Sequence, residues 1–303
     1  MRATLVVLAA ASVMMAPVAA PAATSPANPD APRAPPTALA GITVTAPRPP
    51  PAPHISDRAV HDFVRAHGAA TRIGQLARWR EPICAQTFGL PAEFNAFVSR
   101  RIAEVAASVG APTARAGPCR ANVSVFFTPQ PQAFMDHVRS KRPELLGYHY
   151  HAQAARLAAF DHPIQAWYVT ATRGANGEID LDDSCCGMPG GLPGSSFGNG
   201  MSSEFSGVMI VADWTKVTGY EIGAIADYIA VLALSHAKSL EACGAEPSIA
   251  DLMSTVCDRA RPQAITDDDV AYLKALYAIN PRLFLSTQQG AIADRMKRSF
   301  AHR

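Results

Sequence analysis

Several common protein classes require residues that this sequence has in small number. Of its 303 residues only 17% are charged, and 27 basic residues against 25 acidic ones leave a net charge of +2. A nucleic-acid-binding domain would instead show a clear basic excess. Beyond the N-terminus no apolar run reaches the ~20 residues that a transmembrane helix requires. The sequence therefore predicts no nucleic-acid partner and no transmembrane span.

The short motifs of the commonest metal and nucleotide sites are also missing. The chain has no Cys-x-x-Cys pair, no His-Glu-x-x-His and no Gly-x-x-x-x-Gly-Lys-Ser/Thr loop. Zinc ribbons, thioredoxin-like redox sites and P-loops are therefore not indicated. The sequence predicts no cofactor and no conventional metal centre.

The first 22 residues show the order of features that is typical of a secretory signal peptide. Arg2 supplies a positive charge, residues 3–16 are apolar, and Ala20-Pro21-Ala22 forms a small-residue cleavage motif. We expect cleavage after Ala22 and a periplasmic or extracellular protein, with an uncleaved anchor as the alternative. The first cysteine is Cys84, so no lipid attachment at the cleavage site is predicted.

Residues 23–55 form a proline- and alanine-rich linker, with 11 prolines among residues 21–53. Because proline fixes φ and lacks a backbone donor, we expect this segment to be disordered and extended. It contains one β-prone island, made of Ile42, Thr43, Val44, Thr45 and Ala46. The island resembles the short box that TonB-dependent receptors offer to TonB, which would bind an envelope protein by adding a strand to its sheet. A plain linker segment is the alternative.

From residue 56 to residue 303 the sequence has the pattern of a globular domain. Apolar residues at helical spacing and β-rich runs separate the predicted elements. One helix is predicted to begin at 56–57. Four further helices are predicted at 94–109, 131–138, 220–236 and 266–278, the last of these being the final helix. The predicted strands cover 122–127, 164–170 and 205–212. Because helices and strands alternate in one block, we predict a single α+β domain with a mixed sheet around a central helix, 220–236.

All six cysteines lie in the predicted mature chain. In an oxidising compartment an even number of cysteines favours disulfides. Proximity in the sequence favours the pairs Cys84–Cys119 and Cys243–Cys257. The adjacent Cys185 and Cys186 then form either a vicinal bridge or two free thiols.

Three segments of the C-terminal third, residues 226–236, 248–253 and 265–277, together resemble the end of a metzincin zinc protease of the matrixin type. In that family a His-Glu-x-x-His helix binds zinc, and a methionine turn and a closing helix follow. The positions that match the closing helix are Ile265, Thr266, Asp268, Asp269, Val270, Leu273, Leu276 and Tyr277. Thr266 and Asp269 also have the spacing of a capping box. The resemblance implies a zincin-like fold.

The helix that would carry the zinc departs from the family pattern. When His236 is aligned with the third ligand, Ala226 and Ala230 occupy the first two ligand positions, and Asp227 occupies that of the general base. Alanine has no donor atom, and a catalytic zinc requires about three protein ligands. The resemblance therefore implies the fold without the zinc chemistry.

For two residues of this helix, the sequence is compatible with two different roles. Asp227 is either a remnant acid of a vestigial cleft or a structural carboxylate that bonds backbone amides or an arginine, because an apolar helix tolerates a charge only when it is paired. His236 is either a leftover metal ligand or an ordinary polar residue at a helix end. Under each interpretation the sequence predicts no intact catalytic or metal site.

The sequence as a whole predicts a secreted, non-catalytic, zincin-like protein with a binding or structural role. The former substrate cleft is its expected contact surface, and the 42–46 segment is a second one. The alternative is a hydrolase, similar to a metallopeptidase but with unconventional ligands.

Overall fold

The computed structural model of the chain describes residues 56–115, 117–148, 150–183, 200–237 and 243–301. The predicted signal peptide and linker, with the 42–46 segment, lie outside the described residues, as do Cys185 and Cys186. No helix within the described ranges combines the length and the apolar character needed to cross a bilayer.

Within the described ranges the chain forms five strands, eight α-helices and three short 3-10 helices. The strands are β1 (Ala85–Phe88), β2 (Val123–Thr128), β3 (Ile164–Arg173), β4 (Ile179–Leu181) and β5 (Ser202–Asp213). The helices are α1 (Asp57–His67), α2 (Ala92–Ser108), α3 (Pro131–Lys141), α4 (Ala154–Leu157), α5 (Trp214–Val217), α6 (Ile222–Leu234), α7 (Asp267–Ala278) and α8 (Leu285–Ala301). The 3-10 helices are Pro143–Leu146, His151–Gln153 and Ile249–Met253.

The strands form one mixed sheet in the order β1-β2-β5-β3-β4. β1, β2 and β5 are parallel, whereas β3 runs antiparallel to both β5 and β4. A register shift between Val169 and Thr170 marks a bulge in β3. The predicted α+β class with a mixed sheet is thus confirmed for the described residues.

The two faces of the sheet are covered to different extents. On β2, Val123, Val125 and Phe127 face the main core, to which α2 and α6 also contribute. Ser124 and Phe126 alternate with them and point to the opposite face. There α3, α4 and the 3-10 helix Pro143–Leu146 form a smaller core with one end of β3 and β5. No helix of the described residues covers the rest of this second face, which forms a groove.

The helix α6 lies at the centre of the main core. All its residues from Ala224 to Leu234 are buried, Asp227 included. A helix that is apolar on every side is stable only when it is surrounded by protein, which explains this central position. The 3-10 helix Ile249–Met253 packs against α6. The closing helix α7 starts with the predicted capping box between Thr266 and Asp269, which is confirmed.

Besides the 3-10 helices and the four-residue helices α4 and α5, three elements of the described chain were not predicted. The prediction that the helix at 266–278 is the last one is wrong, because α8 follows it. α8 buries only a narrow stripe, which consists of Gln288, Ile292, Ala293 and Met296, so its sequence carries a weak helical signal. The strands β1 and β4 have three or four residues and little apolar alternation. Their strand conformation comes from pairing with β2 and β3.

The two disulfides that proximity favours are both present, Cys84–Cys119 and Cys243–Cys257. Such bonds persist in oxidising compartments and are rare in the cytosol. The two bonds therefore fit a periplasmic or extracellular location.

Candidate functional site

The carboxylate of Asp227 is buried and held by two other elements. Its side chain is 3% exposed. Arg101 of α2 donates from Nε to Oδ1 at 2.5 Å and from Nη2 to Oδ2 at 3.3 Å. The backbone N–H of Ile265 donates to Oδ2 at 2.8 Å. Asp227 thus connects α6 with α2 and with the segment that enters α7.

This arrangement matches what a structural carboxylate requires. Arg101 forms a two-point hydrogen bond, the strongest type for a carboxylate. The hydrogen bond to Asp227 raises the pKa of Arg101 more than its partial burial lowers it. A general base needs an oxygen directed at a water or substrate proton, whereas both oxygens of Asp227 accept protein hydrogens. The geometry therefore favours the structural interpretation of Asp227 over a remnant acid.

Of the other positions aligned with the zinc-binding motif, two lack a ligand atom and the third is a histidine packed against an aromatic ring. Ala226 and Ala230 are fully buried, so their methyl groups fill the core where ligand atoms would be needed. The ring of His236 packs on Tyr168 with a centroid distance of 4.4 Å. The backbone oxygen of His236 accepts from the N–H of Ala69 at 2.6 Å. His236 thus has the surroundings of a packed residue just after a helix end.

A second buried polar cluster joins α1, the 3-10 helix Ile249–Met253 and α7, and it was not predicted from the sequence. His67 Nε2 lies 2.9 Å from Ser248 Oγ, and Ser248 Oγ donates to Asp269 Oδ1 at 2.6 Å. His67 Nδ1 lies 2.9 Å from the backbone oxygen of Phe63. The three side chains are buried, and 181 residues separate His67 from Ser248. Only the folded chain brings these residues together.

Hydrogen bonding in this cluster fixes the role of one histidine nitrogen. A carbonyl oxygen only accepts, so Nδ1 of His67 must donate to Phe63. Nε2 of His67 contacts Ser248 Oγ, whose hydrogen is directed to Asp269. Asp269 Oδ1 lies 3.7 Å from Nε2. Ser248 thus connects His67 to Asp269 inside the protein.

The cluster contains serine, histidine and aspartate, but it is not built as a hydrolytic triad. In a triad the aspartate orients the histidine, and the histidine then accepts the serine proton. Here the aspartate accepts the serine proton itself, and Phe63 orients the histidine. Ser248 is 3% exposed, and its Oγ also accepts from the N–H of Ala250 at the start of the 3-10 helix. The cluster is therefore a structural lock between three elements.

Arg78 is a further buried charge that was not predicted from the sequence. Its Nη1 donates to the backbone oxygen of Ile279, directly after α7, at 2.8 Å. Burial lowers the pKa of Arg78 to about 10. Its Nε and Nη2 have no hydrogen-bond partner among the described atoms. Arg78 thus stabilises the end of α7 at a high desolvation cost.

The part of the second sheet face that no described helix covers forms a groove of about 910 Å³. Four strands line it. Apolar residues come from β2, β3 and β4, namely Phe126, Val169, Ala171, Ile179 and Leu181, and β5 between them adds Glu204, Ser206 and Gly207. Ile179 and Leu181 are 52% and 41% exposed, which is high for large apolar side chains. Both signs of charge occur at its margin, in Glu81, Arg120, Arg142, Glu144 and Asp183. The groove therefore has the composition of a binding surface.

The buried acid of the groove, Glu204, is already neutralised by its neighbours. Arg173 donates from Nε and Nη2 to its two carboxylate oxygens at 2.8 and 3.0 Å. Arg80 adds a second cation, with its Nε 3.9 Å from Oε2. Glu204 therefore serves as a fixed ion-pair centre rather than as a proton acceptor for a ligand.

One set of potential metal donors occurs in the described residues, formed by Cys243, Asp251 and Cys257. The two sulfur atoms are bonded to each other, so they are not thiolate ligands. Arg259 Nε lies 3.7 Å from Asp251 Oδ2 and places a positive charge beside the set. As a disulfide the set does not fit a cation.

The described geometry identifies a structural carboxylate in α6, a buried lock around Asp269 and an uncovered groove on the sheet. The zincin-like resemblance still depends on the sequence motifs alone. Comparison with protein-family models, curated proteins and solved structures found no match to this chain.

Proposed function

We propose that this protein is a non-catalytic binding protein of the periplasm or extracellular space, built on a zincin-like domain that has lost its zinc site. The observation that carries the proposal is the state of α6. Where a zinc protease places two ligands and a base, this helix has two buried methyl groups and a carboxylate held by Arg101 and Ile265. Such a helix contributes packing and an internal ion pair instead of catalysis.

The groove on the sheet is the proposed contact surface, and its occupant is an extended polypeptide segment of a partner protein. Alternate side chains of β3 and β4 present an apolar floor, which suits the apolar side chains of a chain laid across it. A polyanion would require a basic margin, but Arg120 and Arg142 are offset by Glu81, Glu144 and Asp183. The 42–46 segment is a second proposed contact, toward an envelope protein.

A metal and hydrolysis assay tests the loss of catalysis. Residues 23–303 are purified with their disulfides, incubated with zinc and dialysed against zinc-free buffer. We expect them to retain less than about one-tenth of a zinc ion per chain, because a set of three ligands is lacking. We also expect no cleavage of an unfolded protein substrate above the buffer rate. Stoichiometric zinc together with cleavage that Asp227→Asn abolishes would overturn the proposal in favour of a hydrolase with unconventional ligands.

Selection from a random-peptide display library tests the groove. Enriched peptides should bind the wild type and lose roughly tenfold or more in affinity for Leu181→Asp, because a charge is placed on the apolar floor. The matched control is Arg58→Ala, a fully solvated change on α1, where the side chain is 91% exposed. Peptides that bind both variants equally, or a library without enrichment, would contradict the assignment of the groove.

A further inference from the structure

We propose that the Cys243–Cys257 disulfide is exchange-active, so that a thiol reductant opens it with Cys243 as the leaving thiolate. The proposal does not depend on the function of the groove. It starts from the position of Arg259, whose Nη2 lies 3.3 Å from Cys243 Sγ. A guanidinium is always charged, and a neighbouring cation lowers the pKa of a thiol by stabilising the thiolate.

Arg259 is fixed in this position by its other contacts. It donates to the backbone oxygens of Gly244 and Ala245, and its Nε faces Asp251 Oδ2 at 3.7 Å. The guanidinium therefore stays beside Cys243 Sγ instead of moving freely in solvent. Cys257, whose sulfur is attacked when Cys243 leaves, is half-buried and Cys243 is exposed, so the bond lies at the protein surface.

The second disulfide of the chain provides an internal comparison. Cys84 is 4% exposed, and it is fixed directly before β1 by hydrogen bonds to Asn122 on both its backbone groups. Cys119 is exposed, so a reductant can attack its sulfur, but the leaving thiolate is then the buried Cys84. Burial disfavours a thiolate, whereas a neighbouring cation favours it. Exchange rates depend on the pKa of the leaving thiol, and this factor favours the Cys243–Cys257 bond.

The exchange reaction balances with a dithiol as the reductant. Its thiolate attacks Cys257 Sγ and forms a mixed disulfide, while the electron pair of the broken bond leaves on Cys243 beside Arg259. The second thiolate of the dithiol then attacks the dithiol sulfur of the mixed disulfide and releases Cys257 as a thiolate. The protein has gained two electrons and, after protonation, two hydrogens, and the dithiol has become a disulfide.

Opening this bond changes the constraint on one part of the buried lock. The loop from 243 to 257 includes Ser248, which bridges His67 and Asp269. In the oxidised protein the covalent bond closes this loop across a separation of 14 residues. After reduction only non-covalent contacts hold Ser248 at Asp269, so the redox state of an exposed bond acts on the junction of α1 and α7.

Timed reduction and alkylation of residues 23–303 tests the proposal. The protein is exposed to dithiothreitol, quenched with iodoacetamide, and each disulfide is quantified by peptide mass spectrometry. Cys243–Cys257 should open at least about tenfold faster than Cys84–Cys119. Arg259→Gln should slow the opening roughly three- to tenfold, because the leaving thiolate loses its cation. Equal rates for the two bonds would overturn the proposal.

Two further variants separate the charge effect from a general loss of structure. Arg261→Gln is the matched control, because Arg261 contacts the Tyr220 hydroxyl and should keep the wild-type rate. Asp251→Asn removes the negative charge beside Arg259 but keeps an acceptor for the Ser248 amide, so it should accelerate opening. A wild-type rate in Arg259→Gln, or slower opening in Asp251→Asn, would contradict the assigned role of Arg259.

Discussion

Asp269→Asn is expected to lower the free energy of unfolding of the domain more than any other substitution considered below, Asp227→Ala included. The carboxylate is fully buried and accepts from Ser248 Oγ at 2.6 Å, from Ile249 N at 2.7 Å and from both Oγ1 and N of Thr266. An amide presents two hydrogens where the carboxylate accepts them, so at least one of these buried donors loses its acceptor. Each buried group left unsatisfied costs about 1–3 kcal/mol, and more where its partner was charged. This is a large share of the ~5–15 kcal/mol that stabilise a typical domain.

Thermal unfolding followed by circular dichroism measures this effect. Asp267→Asn is the control, because Asp267 lies in the same first turn of α7 but is exposed. Its replacement should lower the free energy of unfolding by no more than about 0.3–1 kcal/mol, the range expected when the interaction of its charge with the helix dipole is lost. If both variants melt within a degree or two of the wild type, the buried lock does not have the importance that its geometry indicates.

The second large effect is expected for Asp227→Ala. The change leaves the N–H of Ile265 without its acceptor and Arg101 without its carboxylate, which is destabilising by about 3 kcal/mol. For a domain of this size such a loss corresponds to a fall in Tm of roughly 6–12 °C. An active-site acid would behave in the opposite way, because its replacement commonly leaves stability unchanged or raises it while activity is lost.

Two variants serve as controls for Asp227→Ala. Glu104→Ala removes the other carboxylate near Arg101. The Glu104 side chain is 52% exposed, and a solvated ion pair contributes less than about 1 kcal/mol, so the loss of stability should be small. His236→Ala lies after the end of α6 and keeps the backbone contact with Ala69, so it should cost clearly less than Asp227→Ala although its ring contact with Tyr168 is lost. A Tm of Asp227→Ala equal to or above that of the wild type would refute the structural interpretation and support a catalytic one.

The sequence allowed prediction of those elements whose signals are local. α6 is apolar on every side, and the capping box of α7 spans three residues, so both helices were predicted close to their observed bounds. β2, β3 and β5 were predicted for the same reason, since each is rich in β-branched or aromatic residues. β1 and β4 lack such a signal. They adopt the strand conformation because they form hydrogen bonds with the edges of β2 and β3.

The candidate sites depend on contacts that no local pattern encodes. Arg101 and Asp227 are 126 residues apart, and the sequence indicated a partner for Asp227 without identifying it. His67 has the local sequence of any helical histidine, and only the fold places Ser248 and Asp269 beside it. The groove exists because α3 and α4 cover only part of a sheet face, and the extent of that cover is a property of the packed chain alone.

The contacts between the N-terminal segment and the helices α7 and α8 have a consequence for how the chain is made. Asp57 of α1 pairs with Lys297 of α8, the Tyr272 hydroxyl donates to His67, and the N–H of Leu76 donates to Gln288. During synthesis from the N-terminus these contacts cannot form until almost the whole polypeptide has left the ribosome. Pairings this distant in the sequence also form slowly. The junction of the N-terminal segment with α7 and α8 therefore cannot close while the C-terminal residues are still inside the ribosome.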